Sequence, residues 1–168
     1  LTEAGAEINA KAENGMNCLM QAIAAHDHQA VSRLVEAGAD LDARSEDGTT
    51  CLMAAVNRGD VDWILTLLRL GADLESVDRN HWTCLMHAVA KGDIELTSML
   101  LEEGADPQTS DADGQTPLMH ASKLGNLNAM SILVHHGAQL DRFEKGGQSP
   151  LMKSVQSGSR EAVSLLLD

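Results

Sequence analysis

Asp113 to Asp141 reads DGQTPLMHASKLGNLNAMSILVHHGAQLD, and within it two short helices are signposted. Thr116 can cap a helix, because its side-chain oxygen accepts an orphan backbone N–H of the first turn. Pro117 suits the first helical position, where a missing N–H removes no bond. Gly125 can close that helix in a left-handed conformation, and Asn126 directly after it can cap a second one. The second helix stops before Gly137-Ala138.

What decides the fold is that this stretch returns. Gly-Ala recurs at Gly5-Ala6, Gly38-Ala39, Gly71-Ala72, Gly104-Ala105 and Gly137-Ala138, always 33 residues apart. Leu19, Leu52, Leu85, Leu118 and Leu151 keep the same step, each followed by Met. Asn17, Thr50, Thr83, Thr116 and Ser149 form one register of caps, and Asp27, Asp60, Asp93, Asn126 and Ser159 form a second. Gly59, Gly92, Gly125 and Gly158 end the first helix of their units, with His26 at the corresponding place of the earliest one. Apolar faces such as Ile64-Leu67-Leu68 and Leu96-Leu100-Leu101 have helical spacing. Self-similarity of this kind implies stacked units that share a continuous core.

The pattern of Asp113 to Asp141 and its four relatives resembles the ankyrin repeat. The resemblance implies an all-α solenoid of stacked helix-turn-helix units joined by short β-hairpin-like turns. One domain is expected over residues 1–168, with repeats at 13–45, 46–78, 79–111 and 112–144. Residues 145–168 read as a truncated last repeat and 1–12 as the tail of a preceding one, from which fraying is expected to begin. The chain is accordingly expected to be a piece of a longer protein. Two departures from the family pattern stand out. Met replaces the usual His of Thr-Pro-Leu-His in every unit, so a flexible apolar side chain packs where a polar tie is usual. Cys18, Cys51 and Cys84 replace the Pro of the first three units.

That register also answers the stretch HWTCLMHAVAKGD, His81 to Asp93, whose soft residues suggest a metal or nucleophile site. Cys84 sits one period from Cys51, and equivalent atoms of packed helices lie about 8–10 Å apart. A disulfide needs Cα atoms within about 7 Å, and a shared zinc needs every donor within about 2.3 Å of one point. His87 and His120, also one period apart, fail the same test. No phosphate-binding loop, nucleophile elbow or HExxH is present. The sequence therefore predicts no enzyme, no cofactor and no metal.

Composition narrows the partners. The chain has 168 residues, a net charge of −13 and 2% aromatic residues, without tyrosine. Such acidity opposes wrapping around nucleic acid phosphates, and no apolar run approaches the ~20 residues of a membrane span. Part of the acidity is structural, since Asp27, Asp60 and Asp93 are caps and Asp62 and Glu95 fall in first turns favoured by the helix dipole. Unpaired cysteines suit an intracellular setting, cytoplasm or nucleus, and a monomer is expected.

The resemblance implies that another protein binds, through a peptide-like segment, in the groove made by the first helices and at the hairpin tips. Tip positions map to Glu13, Glu46, Asp47, Arg79, Asn80, Asp113 and Lys145. Groove positions map to Ala54, Asn57 and Arg58, to His87, Ala90 and Lys91, and to His120, Lys123 and Leu124. Arg58, Lys91, Lys123 and Lys153 are read as a basic ladder near helix C-termini, either solvated dipole partners or ligand contacts. Trp63 falls on an apolar helix face and is expected in the core. Trp82 and Phe143 point toward the tips; Trp82 either anchors a partner or lies over the neighbouring hairpin. His81 stands where the other tips carry glycine and is expected to be less free to adopt a positive φ. The candidate contact residues are thus Trp82, His87, Lys91, His120, Lys123, Arg58, Phe143 and Arg79. Two other readings remain: a regulatory or targeting segment of a larger enzyme or channel, and a histone-tail reader. Methyl-lysine cages need several aromatics, and His87 and His120 stand where further walls would be.

Overall fold

The computed structural model describes residues 7–13 and 15–167. Gly5-Ala6, the first member of the Gly-Ala register, lies outside them, as does half of the opening segment in which fraying is expected. Ten helices and no strand occur among the described residues. They fall into two compact units, residues 1–79 and 80–168. Unit 1 holds α1 (Cys18–Ala24), α2 (His28–Glu36), α3 (Cys51–Arg58) and α4 (Val61–Leu70). Unit 2 holds α5 (Cys84–Lys91), α6 (Ile94–Glu102), α7 (Pro117–Leu124), α8 (Leu127–His135), α9 (Pro150–Ser157) and α10 (Arg160–Leu167). In unit 2 the helices form two layers: α5, α7 and α9 pack in one row, α6, α8 and α10 in the other, and each pair packs within itself.

The caps set the helix limits. Asn17, Thr50, Thr83, Thr116 and Ser149 each accept the backbone N–H of the methionine three residues on, at 2.9–3.4 Å. Asp27, Asp60, Asp93, Asn126 and Ser159 do the same for the second helices. Gly59, Gly92, Gly125 and Gly158 close the first helices at φ between 64° and 77°. His26 takes the same conformation with φ 55°.

The 33-residue step becomes a ladder of hydrogen bonds inside each unit. In unit 1 the Asn9 side chain accepts Asp40 N–H at 2.9 Å and Asp42 accepts Asp73 N–H at 2.8 Å. In unit 2 Gln108 accepts Gln139 N–H at 3.2 Å, and Lys145 Nζ donates to Ala112 O at 2.6 Å. The core is aliphatic, with Leu52, Met53, Ile64 and Leu67 in unit 1 and Met86, Leu100, Leu118, Met119 and Met130 in unit 2 all fully buried. Each such side chain contributes about 1.5–3 kcal/mol through burial. Met20, Met53, Met86 and Met119 pack as expected, whereas Met152 in the last helix pair is 49% exposed.

Candidate functional site

Each unit carries a cleft on the side of its first helices. In unit 1 a cleft of about 450 Å³ has a floor of Met16, Met20, Ile23 and Ala54, with Arg58, Glu46 and Asp47 among the polar lining residues. The Ser45 hydroxyl and the Thr49 N–H both donate to the Asp47 carboxylate and hold it below its ordinary range. Cys51 also lines this cleft, but burial pushes its thiol up to about 12, so it is an inert apolar group and not a nucleophile. Cys18, Cys51 and Cys84 are all free thiols, and the Cys18 Sγ donates to Ile8 O at 2.9 Å.

In unit 2 a cleft of about 410 Å³ is bounded by Trp82 and Asn80 from the third tip, Ala90 of α5, the fourth tip, and His120, Lys123 and Leu124 of α7. Trp82 is half-buried. Its ring lies 5.3 Å from the ring of His87 in an edge-on arrangement and 4.8 Å from that of His120. His120 is fixed from behind: its Nε2 donates to Asp111 Oδ2 at 3.0 Å, while Asp111 Oδ1 accepts the N–H groups of Asp113 and Gln115. That carboxylate sets the tautomer. Burial holds the His120 ring below its ordinary range, against the opposing pull of Asp111.

Several site residues stand differently from their expected places. His120 is largely buried, at 9% exposure, bonded to Asp111 on one side while it lines the cleft beside Trp82 on the other. Lys153 is no member of a C-terminal ladder. It sits in the first half of α9, 6% exposed, 3.9 Å from Glu144 and bonded to Gln148. His81 does adopt a positive φ, of 60°, despite its side chain. Trp63 is in the core at 1% exposure, as periodicity predicts. Lys123 and Leu124 are exposed at the cleft, and Lys91 is exposed at the end of α5. Phe143 is 63% exposed and does not line the cleft. Arg58 and Arg79 are exposed and belong to unit 1.

The acid that fixes His120 was within reach of sequence. Asp78, Asp111 and Glu144 share the 33-residue step, and His87, His120 and Lys153 follow each by nine residues. In unit 2 two of these acid–base couples are formed, Asp111–His120 and Glu144–Lys153. The described residues contain no cluster of His, Cys, Asp and Glu able to hold a metal and no helix long and apolar enough to cross a membrane.

A family model described as ankyrin repeats (3 copies) matches residues 1–78, 19–111 and 85–168, overlapping stretches that run the length of the chain. The chain belongs to the ankyrin repeat family. Repeats of this family generally serve as protein–protein interaction modules and are typically non-catalytic. No match was found among curated proteins.

Proposed function

We propose that the chain binds an extended or helical segment of a partner protein, and that in unit 2 the contact surface is the cleft walled by Trp82. The observation that carries this reading is the half-buried indole held against His87 and His120 beside a 410 Å³ opening. A tryptophan braced on two sides gives up little conformational freedom when a ligand covers its remaining face, and such residues dominate interface energetics. Lys123 and Leu124 add one cation and one apolar side chain at the edge, so the segment would carry an apolar residue with a carboxylate nearby. The reading is tested by selecting peptides from a displayed library on the immobilised protein. Trp82→Ala should weaken the selected peptides by about thirtyfold or more, corresponding to about 2 kcal/mol. Glu95→Ala, at an exposed position of α6, should leave them unchanged. Peptides indifferent to Trp82→Ala would overturn the assignment.

A further inference from the structure

At His26 two local rules are broken together. Its φ of 55° lies in the left-handed region, where the other helix pairs place Gly59, Gly92, Gly125 and Gly158. Trp63, in α4, is 1% exposed and carries an indole N–H that must find an acceptor inside the protein. A single bond joins the two anomalies: Trp63 Nε1 donates to His26 Nδ1 at 3.0 Å. An Nδ1 that accepts cannot carry a proton, so His26 is held as the neutral ring protonated on Nε2. His28 of α2 lies flat against the indole, with ring centroids 4.2 Å apart and planes within 7°. Beside the same Nδ1, at 3.8 Å, lies Asp60 Oδ2. The other oxygen of Asp60 caps α4 by accepting Trp63 backbone N–H at 3.3 Å.

We propose that His26 is a proton-operated latch on the buried indole of Trp63. The neutral imidazole holds the indole N–H; the imidazolium releases it and turns its Nδ1–H to Asp60. The proton comes from solvent, since the His26 side chain is 61% exposed. An imidazolium has N–H on both ring nitrogens and no acceptor left, so the exchange of partners is enforced by valence. The ionisable groups nearest the latch along the surrounding elements are Asp27 and His28 at the start of α2, Arg58 at the end of α3, and Asp60 and Asp62 at the start of α4; Arg33 and Glu36 of α2 and Arg69 of α4 lie further along their helices. Asp27 is committed to capping α2, which leaves Asp60 as the carboxylate within ion-pair range. The latch sits directly after the end of α1, whose Ile23 and Ala24 line the 450 Å³ cleft of unit 1. Protonation of His26, two residues from the end of that helix, therefore leaves a buried donor unsatisfied in the core of unit 1.

The two tryptophans of the chain give two indole 15N–1H cross-peaks, assigned with Trp82→Phe. On lowering the pH from about 8 to about 5, the window in which histidines titrate, the Trp63 cross-peak should shift together with the His26 ring signals. Its exchange with solvent should speed up over the same range. His26→Gly, which installs the residue found at the equivalent closures, should abolish this pH dependence. His28→Gln should retain it, because the stacked ring is not the acceptor. A Trp63 signal that stays constant through the His26 titration, that still titrates in His26→Gly, or that ceases to titrate in His28→Gln overturns the proposal.

Discussion

At the α1–α2 corner of unit 1 and at the third tip, in unit 2, a histidine occupies left-handed backbone where the register elsewhere supplies glycine. His26 has φ 55° and His81 has φ 60°, and each lies close to a tryptophan in space or in sequence. The outcomes differ. His26 is bonded to a tryptophan 37 residues away whose indole is sealed in the core, so its strain is offset by satisfying a buried donor. His81 is exposed, and the neighbouring Trp82 turns instead toward a cleft, braced by His87 and His120. The same departure from glycine is thus an internal fastening in one unit and part of a surface in the other. What separates them is how deeply the neighbouring indole is buried.

The strongest way to test this contrast is to delete each ring. Trp63→Ala should lower unfolding stability by about 3–5 kcal/mol, the range for removing a large aromatic from a core, measured by urea denaturation. It should also unmask His26, whose ring would then be free of its donor. Trp82→Ala should cost far less stability, because its ring is only half-buried, and should act chiefly on peptide binding by about 2 kcal/mol. If the two substitutions destabilise equally, the division into fastening and surface is wrong.

A smaller effect separates the histidines behind the rings. Burial depresses the His120 ring below its ordinary range. The unfolded chain then binds more protons than the folded one once the pH falls below the unfolded value of about 6.5. Stability from His120 is complete above that pH and is lost as the pH falls through the folded value. Urea midpoints measured near neutral pH and at mildly acidic pH should fall more steeply for the wild type than for His120→Gln. An equal fall in both would mean that the Asp111 interaction compensates for burial.

Much of this molecule was legible from period and local chemistry, because every cap and closure acts within a few residues of sequence. Asn17 reaches Met20 and Asp60 reaches Trp63, contacts three residues apart that a single stretch displays. Trp63 was legible as core from helical spacing alone. The Trp63–His26 bond was not, because it joins residues 37 apart through the side chain of a residue that reads only as a substitute closure. Lys153 was misread, and the burial of His120 missed, for a related reason. Their helix positions face the groove side in a generic unit, but Asp111 and Glu144 from the preceding tip fold under them and draw each base inward. The charge of a position was visible; which partner would claim it depended on the tip packing against that helix.

The smallest expected effect is also the one that isolates the bond. His81→Gly relieves left-handed strain of about 1–2 kcal/mol, while the added freedom of glycine in the unfolded chain costs about 0.4–1 kcal/mol. A net gain of about 0.5–1 kcal/mol should follow. His26→Gly relieves the same backbone strain and carries the same entropy cost, but it also removes the acceptor for a buried indole N–H, which costs about 1–3 kcal/mol. The sign should therefore reverse, with His26→Gly lowering stability by about 1 kcal/mol. Measured side by side by urea denaturation at neutral pH, the difference between the two substitutions reads the worth of the Trp63–His26 bond directly. Equal gains at both sites would mean that the indole finds another acceptor once His26 is gone, and that the fastening in unit 1 is backbone geometry alone.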